Sequence, residues 1–278
     1  MNYTWTDVQR KRLGELSASE EERSQEHESK EEREAAFEKI QSRLGTIAKE
    51  KLRNLREGER CSTRQRLEEE LAYSLREQGF VQVTTPTMLS KSMLEKMTIN
   101  DSHALHSQVF WLDKNKCLRP MLAPNLYYVL KDLLRLWEPP VRIFEIGSCF
   151  RKESQGSHHL NEFTMLNLVE WGLPEAQRSQ RLRELAGLVM DTAKIDGWEL
   201  EAEDSVVYGD TIDVVYKGLE LGSGAMGPHV LDGQWGVSGP WVGLGVGLER
   251  LAMVKEGGSN VKSTGKSLSY IGGVRLNV

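Results

Sequence analysis

Cysteine is scarce in this chain of 278 residues. There are three, Cys61, Cys117 and Cys149, far apart and in no CxxC pair. That excludes a disulfide scaffold and a cysteine-rich zinc site, and it fits a reducing cytoplasm. No apolar run approaches the roughly 18–20 residues of a membrane-spanning helix. The first thirty residues are too polar and charged for a secretory signal. An excess of positive charge is missing too, the formal net charge being −5. Proteins that hold nucleic acid by charge alone are usually basic, so any such binding here rests on local patches.

What is present is uneven. Nearly half of residues 1–60 are charged, with both signs mixed, and Gly14, Gly45 and Gly58 are the only glycines among them, out of 25. The remainder carries roughly half that charge density and most of the glycine. This divides the chain into a charged helical segment, residues 1–60, and a main domain, 61–278. In the first, residues 29–55 have few helix breakers, and Phe37, Ile40, Leu44, Ile47 and Leu52 form a thin apolar stripe. So narrow a stripe has to dock on something larger.

The main domain alternates helices and strands without a βαβ rhythm. Ser62 and Gln65 have capping-box spacing, Leu67, Leu71 and Leu75 follow every four residues, and Gly79 supplies a stop. Strands are expected over 80–86, 108–112, 141–153 and 163–170. Ser90 can cap a short helix carrying Met93 and Met97. A helix from Pro124 sets Leu126, Leu130, Leu133 and Trp137 on one face, and a second amphipathic helix spans 175–194. Short strands follow over 198–203, 211–216 and 219–221. A glycine-rich strand, 241–247, then runs into a helix near Leu248. Such an order fits a loop-rich α/β or α+β domain and argues against a parallel doubly wound sheet.

Three features carry chemistry. The first is Phe150-Arg151-Lys152-Glu153, then a polar loop, then His159 to Phe163. An arginine on a strand can fork onto a phosphate, and an aromatic on the facing strand can stack on a base. Taken singly, a strand arginine is more often in a surface ion pair and Phe163 more often core. The second is the run from Gly243 through Gly245 and Gly247 to Glu249 and Arg250. Glycines alternating along a strand leave one face bare for a flat ligand. No GK[ST] follows, so it is not a Walker loop, and the alternation is not a Rossmann fingerprint. Close packing of two backbones explains the glycines equally well. The third is the Gly79-Phe80 turn, with Pro86 after it.

In this order the three resemble motifs 1, 2 and 3 of the class II aminoacyl-tRNA synthetases. Pro86 falls in the first, Arg151, Glu153 and Phe163 in the second, Arg250 in the third. Residues 118–127, 143–147, 151–154, 162–167 and 207–210 narrow the resemblance to members that activate pyrrolysine, a lysine derivative, and it runs from about residue 65 to the C-terminus. The resemblance implies an α+β class II catalytic core, an antiparallel sheet flanked by helices, with a helical N-terminal appendage. It implies ATP and Mg²⁺ as cofactors, an aminoacyl-adenylate intermediate, a cognate tRNA as partner, a homodimer and a cytoplasmic setting. Arg151 would grip the α-phosphate and the substrate carboxylate, Glu153 would contact the adenine amino group, and Phe163 would stack on adenine with Arg250 on the opposite face. His159 and Leu160 would line the nucleotide loop, and Glu220 and Ser223 would hold Mg²⁺ on the bent triphosphate. Arg151, Arg250 and Glu220 would be the catalytic groups. Ala123, Leu126, Tyr127, Leu130, Val169 and Trp241 would form an apolar tunnel for the amino acid, with Asn167 as its polar gate and Tyr208 as its cover. Leu126 and Leu130 suit plain helix core as well.

The resemblance is to the short, free-standing form, without a separate N-terminal tRNA-binding domain. The tRNA would then meet the catalytic body, the basic run Arg53, Arg56, Arg60, Arg64 and Arg66, and Lys262 and Lys266, although such charges are more often simply a solvated helix face. Residues 221–227 depart from the Ser/Ala-Val-Val-rich form, so Gly224 and Ala225 are expected to widen the pocket floor and Met226 to refill it. Asn161 stands where members carry an acid. Asn167 disfavours a phenylalanine pocket, and the lack of an arginine cluster disfavours a phosphoserine one. The retained Arg151, Glu153, Glu220 and Arg250 disfavour an inactive paralogue, while a ligase that forms an adenylate without using tRNA stays open.

Overall fold

The computed structural model describes residues 2–152 and 159–278. Near the N-terminus, helix α1 (Asp7–Glu15) opens on a capping box between Thr6 and Gln9. Helix α2 (Lys30–Asn54) is capped by Ser29, whose side chain accepts from the Glu32 N–H. Acids in its first turn and bases in its last suit the helix dipole. The expected stripe proves thin: only Ile40 and Leu44 are buried on α2. They join Trp5, Leu13, Leu16 and Ala18 in a small core of their own, with Phe37 and Val278 packed on it. Arg12 donates to the Asn277 side chain and backbone (both 2.8 Å), so this segment docks on the C-terminal residues.

Helix α3 (Thr63–Glu77) carries the Ser62–Gln65 capping box and buries Leu67, Leu71 and Leu75. Gly79, at φ +80°, ends it. The Gly79 N–H bonds to the Arg76 carbonyl and the Phe80 N–H to the Leu75 carbonyl, which satisfies two carbonyls of the last turn. Strand β1 (Val81–Gln82) follows, much shorter than the sequence suggests. The Val83 N–H still bonds to Phe144, but at Thr85 the buried Glu145 carboxylate takes both the backbone N–H (3.1 Å) and the hydroxyl (2.6 Å). A side chain has replaced the ladder there.

Helix α4 is Ala123–Leu133, with proline in its first turn. The sheet continues with β2 (Val141–Phe150) and β3 (Glu162–Trp171). Helix α5 (Arg178–Ala193) follows a 3-10 turn, Glu175–Gln177. Then come β4 (Glu199–Ser205), β5 (Gly209–Tyr216), β6 (Leu219–Gly227) and β7 (Trp241–Gly247), and β7 runs directly into α6 (Leu248–Lys255). Strand β2 stops at Phe150, so Arg151 lies just beyond its end. Strand β6 reaches Gly227, well past residue 221. The strand expected over 108–112 is absent. A 3-10 turn, Ala104–Gln108, stands beside it, begun by His103 accepting the Leu105 N–H, and Trp111 makes only an isolated bridge to Cys117.

The seven strands lie in the order β1-β2-β3-β7-β6-β5-β4, antiparallel except for β1 against β2. Helices α3, α5 and α6 cover one face, where Phe144, Leu166, Leu168, Val242, Leu244 and Val246 meet leucines of those helices. On the other face α4 packs Leu126, Tyr127 and Leu130 against Ile143, Val169 and Trp241. Strand alternation sorts residues between the two. Strand β4 is an edge, with Glu199, Glu201, Glu203 and Asp204 exposed. Among the described residues no helix is long and apolar enough to cross a membrane.

Candidate active site

One ladder row across the open face reads Glu145, Asn167, Gly245, Ser223, Asp213, from β2 through β3, β7 and β6 to β5. Above it lies a cavity of about 520 Å³, lined at one end by Arg151, His159, Leu160, Phe163, Glu220 and Arg250. Ala123, Asn167, Tyr208 and Trp241 line the other end, and Ser223 and Asp213 lie on the wall between. Both arginines thus reach the cavity with Phe163, although they lie about a hundred residues apart in the chain.

Arg151 is held from two sides. Its backbone N–H bonds to the Asn161 carbonyl (3.0 Å), and its Nε donates to the Pro120 carbonyl (2.9 Å). Its guanidinium lies 5.5 Å from the centroid of the Phe163 ring. Support comes from Arg119, which is buried against Glu145 at 2.8 Å and donates to the Ser148 carbonyl (2.7 Å), while the Arg119 carbonyl accepts the Phe150 N–H (2.9 Å). Gly147 is needed here, since a Cβ on it would stand 2.2 Å from Arg119 Nη2. Arg250, in the first turn of α6, donates from Nη1 to the Glu220 carbonyl (2.8 Å) and to Glu220 Oε2 (3.2 Å). Glu153 lies outside the described residues.

Asp213 is a site residue that the sequence reading missed. Its Oδ1 is buried with no hydrogen-bond partner among the described residues. Burial holds its carboxyl above the ordinary aspartate range; the Ser223 hydroxyl opposes this, and Glu220, Glu203 and Glu201 add to it. The alternation along β5, with Asp213 one ladder step from Ser223, is the signal that finds it. Glu220, Ser223 and this unpaired oxygen are hard donors on one wall, and they suit a Mg²⁺ ion that completes its shell with phosphate and water oxygens. Among the described residues no group of three or more His, Cys, Asp or Glu side chains forms an all-protein metal cage.

At the other end, Leu126, Tyr127, Leu130 and Val169 pack in the buried cluster to which Trp241 and Ala225 also belong. Tyr127 donates to Asp232 Oδ1 (2.9 Å), and Trp241 Nε1 donates to Asp232 Oδ2 (2.9 Å). Asp232, also unforeseen, thereby fixes two aromatic rings that meet edge to face, 6.0 Å apart. Burial raises the Tyr127 and Tyr208 hydroxyls well above the usual tyrosine range, so both stay protonated. The expected trade between Gly224 and Met226 does not occur. A Cβ on Gly224 would stand 2.7 Å from Leu182 Cδ1 of α5, and Met226 packs on that same helix-covered face. Ala225 alone of the three turns its side chain toward the cavity cluster.

The basic run near the end of α2 is largely neutralised. Arg53 pairs with Glu50, Arg56 with Glu57, Arg64 with Glu68 and Arg66 with Glu59, at 2.8 to 3.1 Å. Lys266 pairs with Glu162 at 2.5 Å.

Residues 50–231, well over half of the chain, match the family described as phenylalanyl tRNA synthetase beta chain CLM domain. A crystal structure of pyrrolysyl-tRNA synthetase from Desulfitobacterium hafniense is similar over the whole of both chains, with 55% identity and a TM-score of 0.96. A second structure from that organism, also a pyrrolysyl tRNA synthetase, has 54% identity and a TM-score of 0.93 over 99% of this chain and 96% of its own. The alpha subunit of phenylalanine–tRNA ligase from Methanothermobacter thermautotrophicus is 30% identical over 152 residues, 51% of this chain and 29% of its own length. The chain spans about a third or less of the curated relatives it matches. By its sheet, its three motifs and its full-length likeness to solved members, the chain belongs to the class II aminoacyl-tRNA synthetases, in the pyrrolysyl-tRNA synthetase family.

Proposed function

We propose that the chain joins pyrrolysine, or a closely related lysine derivative, to the 3′ end of its tRNA in two steps. The amino acid carboxylate attacks the α-phosphorus of ATP and pyrophosphate leaves. The terminal ribose hydroxyl then attacks the acyl carbon and AMP leaves. A carboxylate is already a nucleophile, so the first step calls for alignment and charge stabilisation, with no general base. Arg151 would neutralise the α-phosphate. Phe163 and Arg250 would hold the adenine between a ring and a cation, and Glu153 would contact its amino group. Mg²⁺, held by Glu220 and Ser223, would supply positive charge to the phosphates. Asn167 offers the only amide side chain on the cavity wall among the described residues, and a substrate that left it unpaired would forfeit about 1–3 kcal/mol.

One observation carries this reading: Arg151, Phe163, Glu220 and Arg250 share a single cavity with Asn167 and Trp241. Domain 61–278 would then be catalytic, with 1–60 an appendage. Two copies would meet as a homodimer around the segment of Pro86, covering Val81 and Met88, which are 45% and 59% exposed. The three free cysteines suit a reducing cytoplasm. The test is ATP–pyrophosphate exchange over a panel of lysine derivatives and phenylalanine, with wild type and Arg151→Ala. Exchange with a lysine derivative and a loss of about 10²–10³-fold in the variant are expected; near-normal exchange by Arg151→Ala would sink the role given to that residue. Charging of tRNA separates this reading from a tRNA-independent ligase.

A further inference from the structure

Residues 206–208, between β4 and β5, form one wall of the cavity together with Ser205 at the end of β4. The outer side of this tip has little burial to hold it, Val206 being 64% exposed. Two of its backbone carbonyls are met by imidazoles from other parts of the chain. His103 Nε2 lies 2.9 Å from the Val206 oxygen, and His229 Nε2 lies 2.8 Å from the Tyr208 oxygen.

The two rings share one further arrangement. In each, Nδ1 accepts the backbone N–H two residues on: Leu105 to His103 at 3.1 Å, and Leu231 to His229 at 3.2 Å. A nitrogen that accepts carries no proton, so the neutral ring bears its proton on Nε2 and must donate there. Each histidine is thereby fixed in the one tautomer that can hold a carbonyl. His229 also ties the tip to the buried end of the cavity. Its backbone N–H donates to Asp232 Oδ2 (2.7 Å), the carboxylate that holds Tyr127 and Trp241. Its ring stands 5.3 Å from the Tyr208 ring, edge to face.

We infer that His103 and His229 form a two-point clasp that holds the β4–β5 tip against the amino-acid end of the cavity and so sets the position of Tyr208. They are positioning residues, remote from the phosphate end. The inference rests on the proposed reading in one respect, that this end takes the amino acid. Loss of one anchor frees one side of the tip, and loss of both removes its two carbonyl anchors, leaving the Tyr208 N–H to Ser205 Oγ bond (2.9 Å), the ladder of β4 and β5, and the Tyr208 side chain's contacts with Tyr127 and with the Trp241 ring 6.4 Å away.

The experiment uses the full chain with His103→Ala, His229→Ala, the double variant, and His103→Gln and His229→Gln, whose amide can still donate to the carbonyl. Backbone hydrogen exchange over residues 205–209 is measured without substrate, and exchange kinetics give KM for the amino acid and for ATP. The alanine variants are expected to exchange faster at the tip and to raise the amino-acid KM about 2–10-fold each, the size of one neutral hydrogen bond. KM for ATP should stay unchanged, and the glutamine variants should restore both readings. Unaltered tip exchange in the double variant overturns the clasp. Faster exchange with an unaltered amino-acid KM overturns its positioning role. Tip exchange is read without substrate, so a wild type that activates no lysine derivative refutes the proposed substrate and leaves the clasp to be judged on the tip.

Discussion

Asn167 of β3 and Gly245 of β7 are ladder partners, and the amide of the first fills the space a side chain on the second would need. A Cβ on Gly245 would stand 3.0 Å from Asn167 Oδ1 and 3.3 Å from Nδ2. A methyl group there must push the amide aside by a few tenths of an ångström. Gly245→Ala should therefore lower kcat/KM for the amino acid about tenfold, the worth of one polar contact. It should add little on top of Asn167→Ala, because it acts through the same amide. A double-mutant cycle in the exchange assay checks this. Full additivity would mean that the glycine serves some other purpose.

The Arg119–Glu145 pair is the most deeply buried ion pair given by the described residues, the side chains being 4% and 2% exposed. Removing the acid leaves a guanidinium in the interior with only neutral partners at Thr85 and Ser148. Glu145→Ala should lose about 3–5 kcal/mol of stability, read by denaturant unfolding. Replacing both partners with apolar residues of similar volume should cost less than removing Glu145 alone. An equal or greater loss would show that the hydrogen bonds, and not the unpaired charge, dominate.

Glu249 gives a pH signature. Burial holds its carboxyl above the ordinary glutamate range; the Thr164 N–H, 2.8 Å from Oε2, and Arg64 pull the other way. The folded state thus keeps this proton to a higher pH than the unfolded chain does. Stability contributed by the group is full below the ordinary carboxylate value and falls as pH rises toward the raised one. Unfolding free energies measured across that range should fall more steeply in wild type than in Glu249→Gln. Parallel curves would remove Glu249 as the source.

Much of this was legible in the sequence because it is local. The Ser62–Gln65 box, the Gly79 stop and the passage from β7 into α6 each depend on residues within one or two turns. The convergence of Arg151, Phe163 and Arg250 was legible only through the family resemblance, since no spacing rule joins residues a hundred positions apart. What escaped was set by long-range polar contacts. Residues 80–86 fail to continue as a strand because Glu145, sixty residues on, occupies the Thr85 N–H. Residues 108–112 follow a turn begun by the His103 cap. Asp232 gave no sign, since a lone aspartate in the first turn of a short helix, Asp232–Trp235, looks like any other.

The outer margin of the sheet has a consequence for how copies of the chain can meet. Strand β4 offers unsatisfied backbone to any passing strand, yet Glu199, Glu201, Glu203 and Asp204 stand along it. A second copy adding there would set four acids against four, and like charges face to face oppose such a pairing. Runaway stacking of sheets into a filament is blocked on that flank. The opposite flank exposes only the two residues of β1, too short a template to propagate one.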